Sequence, residues 1–285
     1  MRKLLTVLAG LATAVAVVVA PAGAITKNFV PDFEHPFVGL VVFYDGQGEF
    51  MWRCSGSLLS STVLLTAGHC TDQAAAASPA SARVYFQQDA GANFDPVTQL
   101  DPVTGYPEFC APGTLGVVCA TSSTLYDFGF DDFAGFPNIH DTGLVILDQA
   151  IAMPEYGVLA GVGTLDELIS QPKNENVFTV SGYGVSYRSP VAAVSFRSRL
   201  MGPAKLVNVK AGLNQGFNLQ TNGNGDDRAG TCGGDSGGPV FLGDESSNLI
   251  VAVTSFGLNE WCRGTDFAYR VDTQAVQDWI SGIVD

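Results

Sequence analysis

The chain has 285 residues, 46% of them hydrophobic, which is enough for a full core without forcing two independent domains. Its 14 lysines and arginines face 28 aspartates and glutamates, a net charge of −14. That balance argues against nucleic-acid binding and against attraction to anionic lipid, both of which need basic surface.

Residues 1–24 read as a secretory signal peptide. Arg2 and Lys3 give a positive start, Leu4 to Ala20 an apolar run, and Ala22-Gly23-Ala24 a small-residue cleavage site. An uncleaved membrane anchor is the competing reading, but the small residues and the lack of flanking charge favour cleavage before Ile25. The mature chain is then expected to be secreted and extracellular, with no membrane attachment. Loss of Arg2 and Lys3 leaves 12 basic against 28 acidic residues, or −16. Six cysteines in an exported chain suggest three disulfides, whose pairing the count alone does not fix. With three histidines (His35, His69 and His140) and no Cys-x-x-Cys pair, neither a metal site nor a cofactor is expected.

From Val38 to Val271 the chain reads as short apolar, β-branched runs between glycine, proline and asparagine punctuation. Val38–Tyr44, Ala82–Phe86, Gly143–Leu147, Val177–Val180, Leu206–Val209 and Leu249–Thr254 are examples. Runs this short predict a sandwich or barrel rather than helices. The stretch from Asp72 to about Asn138 is the least strand-like, and residues 78–135 read as a surface insertion. Its Asp127, Asp131 and Asp132 lack the spacing of a calcium loop and are expected to form a solvated acidic loop. After Thr273, a plausible N-cap, Val276, Trp279, Ile280 and Ile283 fall at helical spacing and predict a helix over 273–284.

The densest chemistry lies in Thr231–Pro239, where Ser236 sits among four glycines. Glycines at that density let the backbone turn sharply and aim its N–H groups at a charge beside a nucleophile. A local turn serine is the plainer alternative. Gly234-Asp235-Ser236-Gly237-Gly238 also satisfies G-x-S-x-G, but that hydrolase elbow requires a histidine after the serine, and none follows Ser236. An order of acid, histidine, serine would need alternating helices that the pattern lacks. The order histidine, aspartate, serine remains. His69, at the end of an apolar strand and beside Cys70, is the candidate base. Asp141, heading the run Gly143–Leu147, is the candidate orienting acid. Asp148, at the other end of that run, reads as a turn residue.

On these residues the chain resembles a trypsin-like serine protease of the chymotrypsin fold, of the bacterial secreted branch. Ala67-Gly68-His69-Cys70 and Gly234–Pro239 match the two family signatures. Cys54–Leu59, Ser181–Gly184 and Ser255-Phe256-Gly257 are weaker matches in the right order. The resemblance runs from about Ile25 to Ile280 and lapses across the insertion. It implies an all-β fold of two packed six-stranded barrels, the first over about 25–150 and the second over about 165–271, closed by the C-terminal helix. It implies Ser236 as nucleophile, His69 as base, Asp141 as orienting acid, and the N–H groups of Gly234 and Ser236 as oxyanion hole. It pairs Cys54 with Cys70 and Cys232 with Cys262, leaving Cys110 with Cys119. Thr142-Gly143 after the aspartate and Ser55 after the first cysteine depart from the family pattern.

The same resemblance implies that an Ile25 ammonium, freed by signal cleavage, pairs with Asp235. Ser255, Phe256 and Gly257 would carry the substrate backbone, and Gly230 would form the base of the primary pocket. Either Asp266 or Phe267 falls on the pocket wall, and Asp266 favours basic substrates. The expected activity is a secreted serine endopeptidase acting on protein or peptide substrates, with protein inhibitors as further partners. A catalytically silent, protease-like binding module is the alternative.

Overall fold

A computed structural model describes residues 25–74, 77–90, 118–169, 177–194, 197–223, 225 and 227–284. The expected signal peptide, Cys110, and residues 91–117 of the expected insertion lie outside the described residues. After a two-residue strand β1 (Val30–Pro31), the first barrel is built from β2 (Val38–Tyr44), β3 (Phe50–Leu58), β4 (Val63–Thr66), β5 (Ser81–Tyr85), β6 (Cys119–Ser122), β7 (Thr124–Asp127) and β8 (Gly143–Ile146). Their order in the sheet is β6-β5-β2-β3-β4-β8-β7. The two ends of that path, β6 and β7, are separated only by Ser123, so one bent strand nearly closes the barrel. Ser122 holds the bend, its hydroxyl donating to the carbonyls of Thr124 and Ile146. A short helix α1 (Gly68–Thr71) follows β4 and carries His69.

Further on come β9 (Val158–Leu159), α2 (Thr164–Leu168), β10 (Val177–Gly182), a hairpin of β11 (Tyr187–Ser189) and β12 (Ala192–Val194), then β13 (Leu200–Asn208), β14 (Asn218–Asn222), β15 (Pro239–Leu242), β16 (Leu249–Gly257) and β17 (Thr265–Arg270). The path β13-β10-β15-β16-β17-β14 returns to β13, which closes a six-stranded second barrel. The helix α3 (Gln274–Val284) ends the chain. It buries Val276 and Ile280 and sets Trp279 against Phe128 at 5.3 Å between ring centroids, so the last helix reaches the first half of the molecule. None of the helices among the described residues is long and apolar enough to cross a membrane.

Two expected boundaries are corrected. Strands β5, β6 and β7 all fall inside 78–135 and belong to the first barrel. Thr121, Ser122 and Thr124 interrupt the apolar pattern there, because half of each strand faces water. Residues 25–31 also belong with the second barrel rather than the first. Ile25 is fully buried among Phe178, Leu200 and Val240, Thr26 and Gly230 exchange backbone hydrogen bonds at 2.8 and 2.9 Å, and β1 pairs with β13.

The barrels are joined by a buried polar cluster as well as by apolar packing. Arg199, 2% exposed, donates from Nη1 to the carbonyls of Val38 and Phe86 and to the Tyr183 hydroxyl, and from Nε to the Asp32 carbonyl. Tyr183 in turn donates to the Gln87 carbonyl at 2.6 Å. Burial pushes the tyrosine up to about 12. The Asp32 carboxylate receives the His35 N–H and imidazole and the Ser181 hydroxyl, with Arg199 Nε 3.8 Å away. Burial alone would raise Asp32, but His35, Arg199 and Ser181 together hold it below the usual carboxylate range. Its contribution is therefore present above the ordinary carboxylate pKa and lost as pH falls through the lowered value. Replacing Arg199 by methionine is expected to cost about 3–5 kcal/mol of unfolding free energy, read from the denaturant midpoint, because it removes the cation beside a buried carboxylate and a donor from two inter-barrel carbonyls.

Candidate active site

The turn after β4 and the loop before β8 meet at one carboxylate. Asp141 is fully buried, and its Oδ1 accepts the His69 backbone N–H at 2.7 Å. His69 Nδ1 stands 3.0 Å from both carboxylate oxygens, and the Ser255 hydroxyl donates to Oδ2. Burial would raise Asp141, but the facing imidazole and these hydrogen bonds hold it below its usual range. Burial pushes His69 down, and the charge and hydrogen bond of Asp141 outweigh it, so the imidazole is raised overall. His69 keeps 28% of its side chain exposed, with the Phe130 ring 5.9 Å away between centroids. Such a histidine has one fixed tautomer and one open nitrogen.

Several close contacts hold α1 in place. The disulfide Cys54–Cys70 ties it to β3, and the Trp52 indole donates to the Cys70 carbonyl. Gly143 is one of the departures from the family pattern, and the packing explains it. A Cβ there would meet the Ala67 carbonyl at 2.7 Å. Glycine lets β8 approach the His69 turn closely enough for Asp141 to reach it.

Ser236 is brought to the same place from the second barrel. Its neighbour Gly237, at φ +76°, is pressed on the backbone two residues before His69, where a Cβ would stand 2.6 Å from Ala67 N. The Gly237 N–H donates to the Thr254 carbonyl, and Ser255 follows with its bond to Asp141. Among the described residues His69 Nε2 and Ser236 Oγ form no hydrogen bond. Gly234 adopts φ +96°, a conformation that favours glycine, and the N–H groups of Gly234 and Ser236 donate to no acceptor among the described residues. Ser55, the other departure, has a definite task. Its N–H donates to the Ser236 carbonyl, its hydroxyl donates to the Gly234 carbonyl, and the same oxygen accepts Tyr183 N–H. A side chain where the family has glycine thus ties the first barrel to the Ser236 turn.

Asp235 is fully buried behind that turn, accepting the N–H groups of Gly184 at 2.8 Å and Cys232 at 2.9 Å. Burial raises it, and these bonds and the charge of Arg53 only partly offset that, so it stands well above the ordinary carboxylate range. Ile25 is buried in the second barrel beside Thr26 and its partner Gly230.

A cavity of about 150 Å³ opens beside Ser236. Ser255, Phe256, Gly257 and Asp266 line it, together with Thr231, Cys232 and Gly233. The ambiguity between Asp266 and Phe267 is resolved by packing: Phe267 is buried and stacks on Phe256 at 4.6 Å. Gly230 does not line the cavity. It lies behind Asp266, whose Oδ2 is 3.2 Å from where its Cβ would be. The Cys232–Cys262 disulfide closes one side of the cavity. Cys119 is disulfide-bonded, and its expected partner Cys110 lies outside the described residues.

Sequence reasoning missed two features. The Ser255 hydroxyl on Asp141 lies hidden in a motif read only for its backbone. The loop after β7, read as a solvated acidic loop, is exposed over residues 132–136, but it is also hydrogen-bonded and aromatic. Asp127 accepts the N–H groups of Gly129 and Phe130, Asp131 accepts Gly135 N–H, and Phe130, Phe133 and Phe256 form a row beside His69. Among the described residues the one grouping with metal-ligand spacing is Cys54, His69 and Cys70, whose sulfurs are already joined in the disulfide.

The Trypsin family model matches residues 138–280, half of the chain, and the protein belongs to that family. Its fold is similar to that of an HL collagenase, with 19% identity, a TM-score of 0.58, and coverage of 87% of this chain and 93% of the other. It is also similar to a double mutant of human heparin-binding protein (CAP37), at 20% identity, TM-score 0.56, and coverage of 92% and 95%. Comparison with curated proteins returns no match.

The Asp141 arrangement makes a measurable statement about His69. Its imidazole is expected to titrate above the ordinary histidine value near 6.5, followed by NMR of the ring nitrogens. Asp141→Asn should bring that titration down and remove the proton from the fixed Nδ1 position.

Proposed function

We propose that the chain is an exported serine endopeptidase in which Ser236 is the nucleophile, His69 the general base and acid, and Asp141 the orienting acid. The observation that carries this reading is the pair of unengaged N–H groups, Gly234 and Ser236, beside a half-exposed histidine fixed by a buried carboxylate. Donors left without an acceptor at a serine suit an oxyanion that forms only during reaction. Ser236 Oγ attacks the scissile carbonyl carbon as its proton passes to His69 Nε2. The carbonyl oxygen takes the negative charge and accepts from the two N–H groups. His69 then gives the proton to the leaving amine, the C–N bond breaks, and an acyl-enzyme remains for water to hydrolyse by the same steps. The Ser236–His69 hydrogen bond, open in the free chain, closes in the substrate complex. Ser255–Gly257 would pair with the peptide backbone as an added strand. The pocket preference is basic, with Asp266 receiving a lysine or arginine. Protein inhibitors that present a peptide loop would occupy the same cleft.

The test is covalent labelling of Ser236 by a peptidyl phosphonate. Labelling of the processed chain is expected, together with a fall in kcat/KM of at least about 10⁴-fold in Ser236→Ala. An unlabelled, correctly processed chain would instead favour a binding module, a role compatible with the fold shared with heparin-binding protein. Heparin itself is a poor fit to a chain of net charge −14.

Activation would need only signal cleavage. An ammonium on Ile25 would supply a close cation for Asp235, which stays raised although two backbone donors and the charge of Arg53 act on it. A product bearing one extra N-terminal residue is expected to lose at least about 100-fold in kcat/KM, the scale of a lost oxyanion donor. Full activity of that product would reject the ion pair.

A further inference from the structure

Asp266 differs from the other two buried carboxylates of the site in how little holds its charge. It is 7% exposed, and its partners are the N–H of Thr231, at 3.0 Å, and the hydroxyl of the same residue. Asp141 has a histidine and a serine, and Asp235 has two N–H groups from separate segments. Cations near the pocket do not reach Asp266. Arg188 of the β11–β12 hairpin and Arg263 of the loop before β17 line the same cavity, as does Glu260, and among the described residues none pairs with it. Strands β14 and β16, which flank it through Thr221 and Gly257, carry no charged residue. Among the described residues Asp235 on the Ser236 turn is a further titratable neighbour, an acid that adds repulsion until the proposed Ile25 ammonium pairs with it.

A carboxyl in this setting presents two different pockets. Ionised, it is a desolvated negative charge that a bound lysine or arginine would complete and an apolar side chain would leave stranded. Protonated, it is a neutral group that an apolar side chain covers without stranding a charge, and a cation buried beside it would be the stranded one. The cavity of about 150 Å³ has room for one side chain and lies well below the size of sites for larger ligands, roughly 300–1,000 Å³. Whatever enters must meet Asp266.

We propose that Asp266 makes the specificity pocket protonation-gated, accepting lysine and arginine when ionised and uncharged aliphatic side chains of the same length when neutral. This rests on the endopeptidase reading and adds a second substrate class to it. Burial pushes Asp266 up to about 7, so both forms of the pocket are populated near neutrality. Acidification shifts the substrate choice as well as the rate.

The test compares two peptide amides that differ only in lysine or norleucine at the residue before the scissile bond. The ratio of their kcat/KM values is followed from about pH 5 to about pH 9, where the lysine stays charged. Titration of His69 and of the N-terminus acts on both substrates and cancels in the ratio. The lysine-to-norleucine ratio is expected to rise by about tenfold per pH unit through the neutral range, with the lysine substrate levelling off above about 7 and the norleucine substrate below it. Asp266→Asn should flatten the ratio at every pH, and Asp266→Ser provides the same readout should the amide disturb packing. A ratio independent of pH in the unaltered chain, or one still pH-dependent in both variants, would overturn the proposal. If neither peptide is cleaved, the endopeptidase reading fails by itself, and equilibrium binding of 4-aminobenzamidine, followed by its fluorescence, decides the pocket. Binding at least tenfold tighter in the alkaline than in the acid range supports the gate, and equal or undetectable binding rejects it.

Discussion

A carboxylate without water needs its oxygens filled by donors from the protein, or it will not stay charged. At Asp141 three donors come from two places in the fold: the backbone and ring of His69 on the turn after β4, and the Ser255 hydroxyl on β16 of the other barrel. One side chain thus fixes the direction of the imidazole and the seating of the second barrel against the first. The glycines nearby follow from the same demand. Gly143 and Gly237 stand where backbones approach too closely for a Cβ, and each of these approaches brings a donor or acceptor to the site.

The three buried carboxylates around Ser236 form a series in which the number and kind of partners sets the state of charge. Asp141, facing an imidazole and a hydroxyl, is held low. Asp235, with two backbone donors and the charge of Arg53, and Asp266, with Thr231 alone, are both raised by burial. The difference lies in what can still arrive. Asp266 opens onto a cavity, and Asp235 is sealed behind the turn. A raised carboxylate facing a cavity and a raised carboxylate facing the core invite different cations, one from a substrate and one from the chain itself.

Much of this was legible in the residues. The apolar, β-branched runs at Val38–Tyr44 and Leu249–Thr254 became central strands, because a strand buried on both faces must be apolar at successive positions. The scarcity of histidine singled out His69, and the family pairing of Cys54 with Cys70 and Cys232 with Cys262 is present. What could not be read depended on contacts across the chain. Strands β6 and β7 are half polar, and only their pairing with β5 and β8 reveals them. Ser55 looked like a departure from the pattern until its three hydrogen bonds across the barrels gave it a task. The choice between Asp266 and Phe267 turned on a one-residue register, which alternation along a strand makes decisive and which loop length in one sequence does not fix.

The seating of Thr26 on Gly230 has a consequence for how the molecule is assembled. These partners are 204 residues apart, and β1 likewise waits for β13. Residues 25–31 therefore have no partner to dock on until the strands of the second barrel have been synthesised. Long-range pairings of this kind carry the largest loop-closure cost and form late. The N-terminal segment serves as the final latch of the fold, and a second barrel lacking it would keep the apolar slot that Ile25 fills open to water.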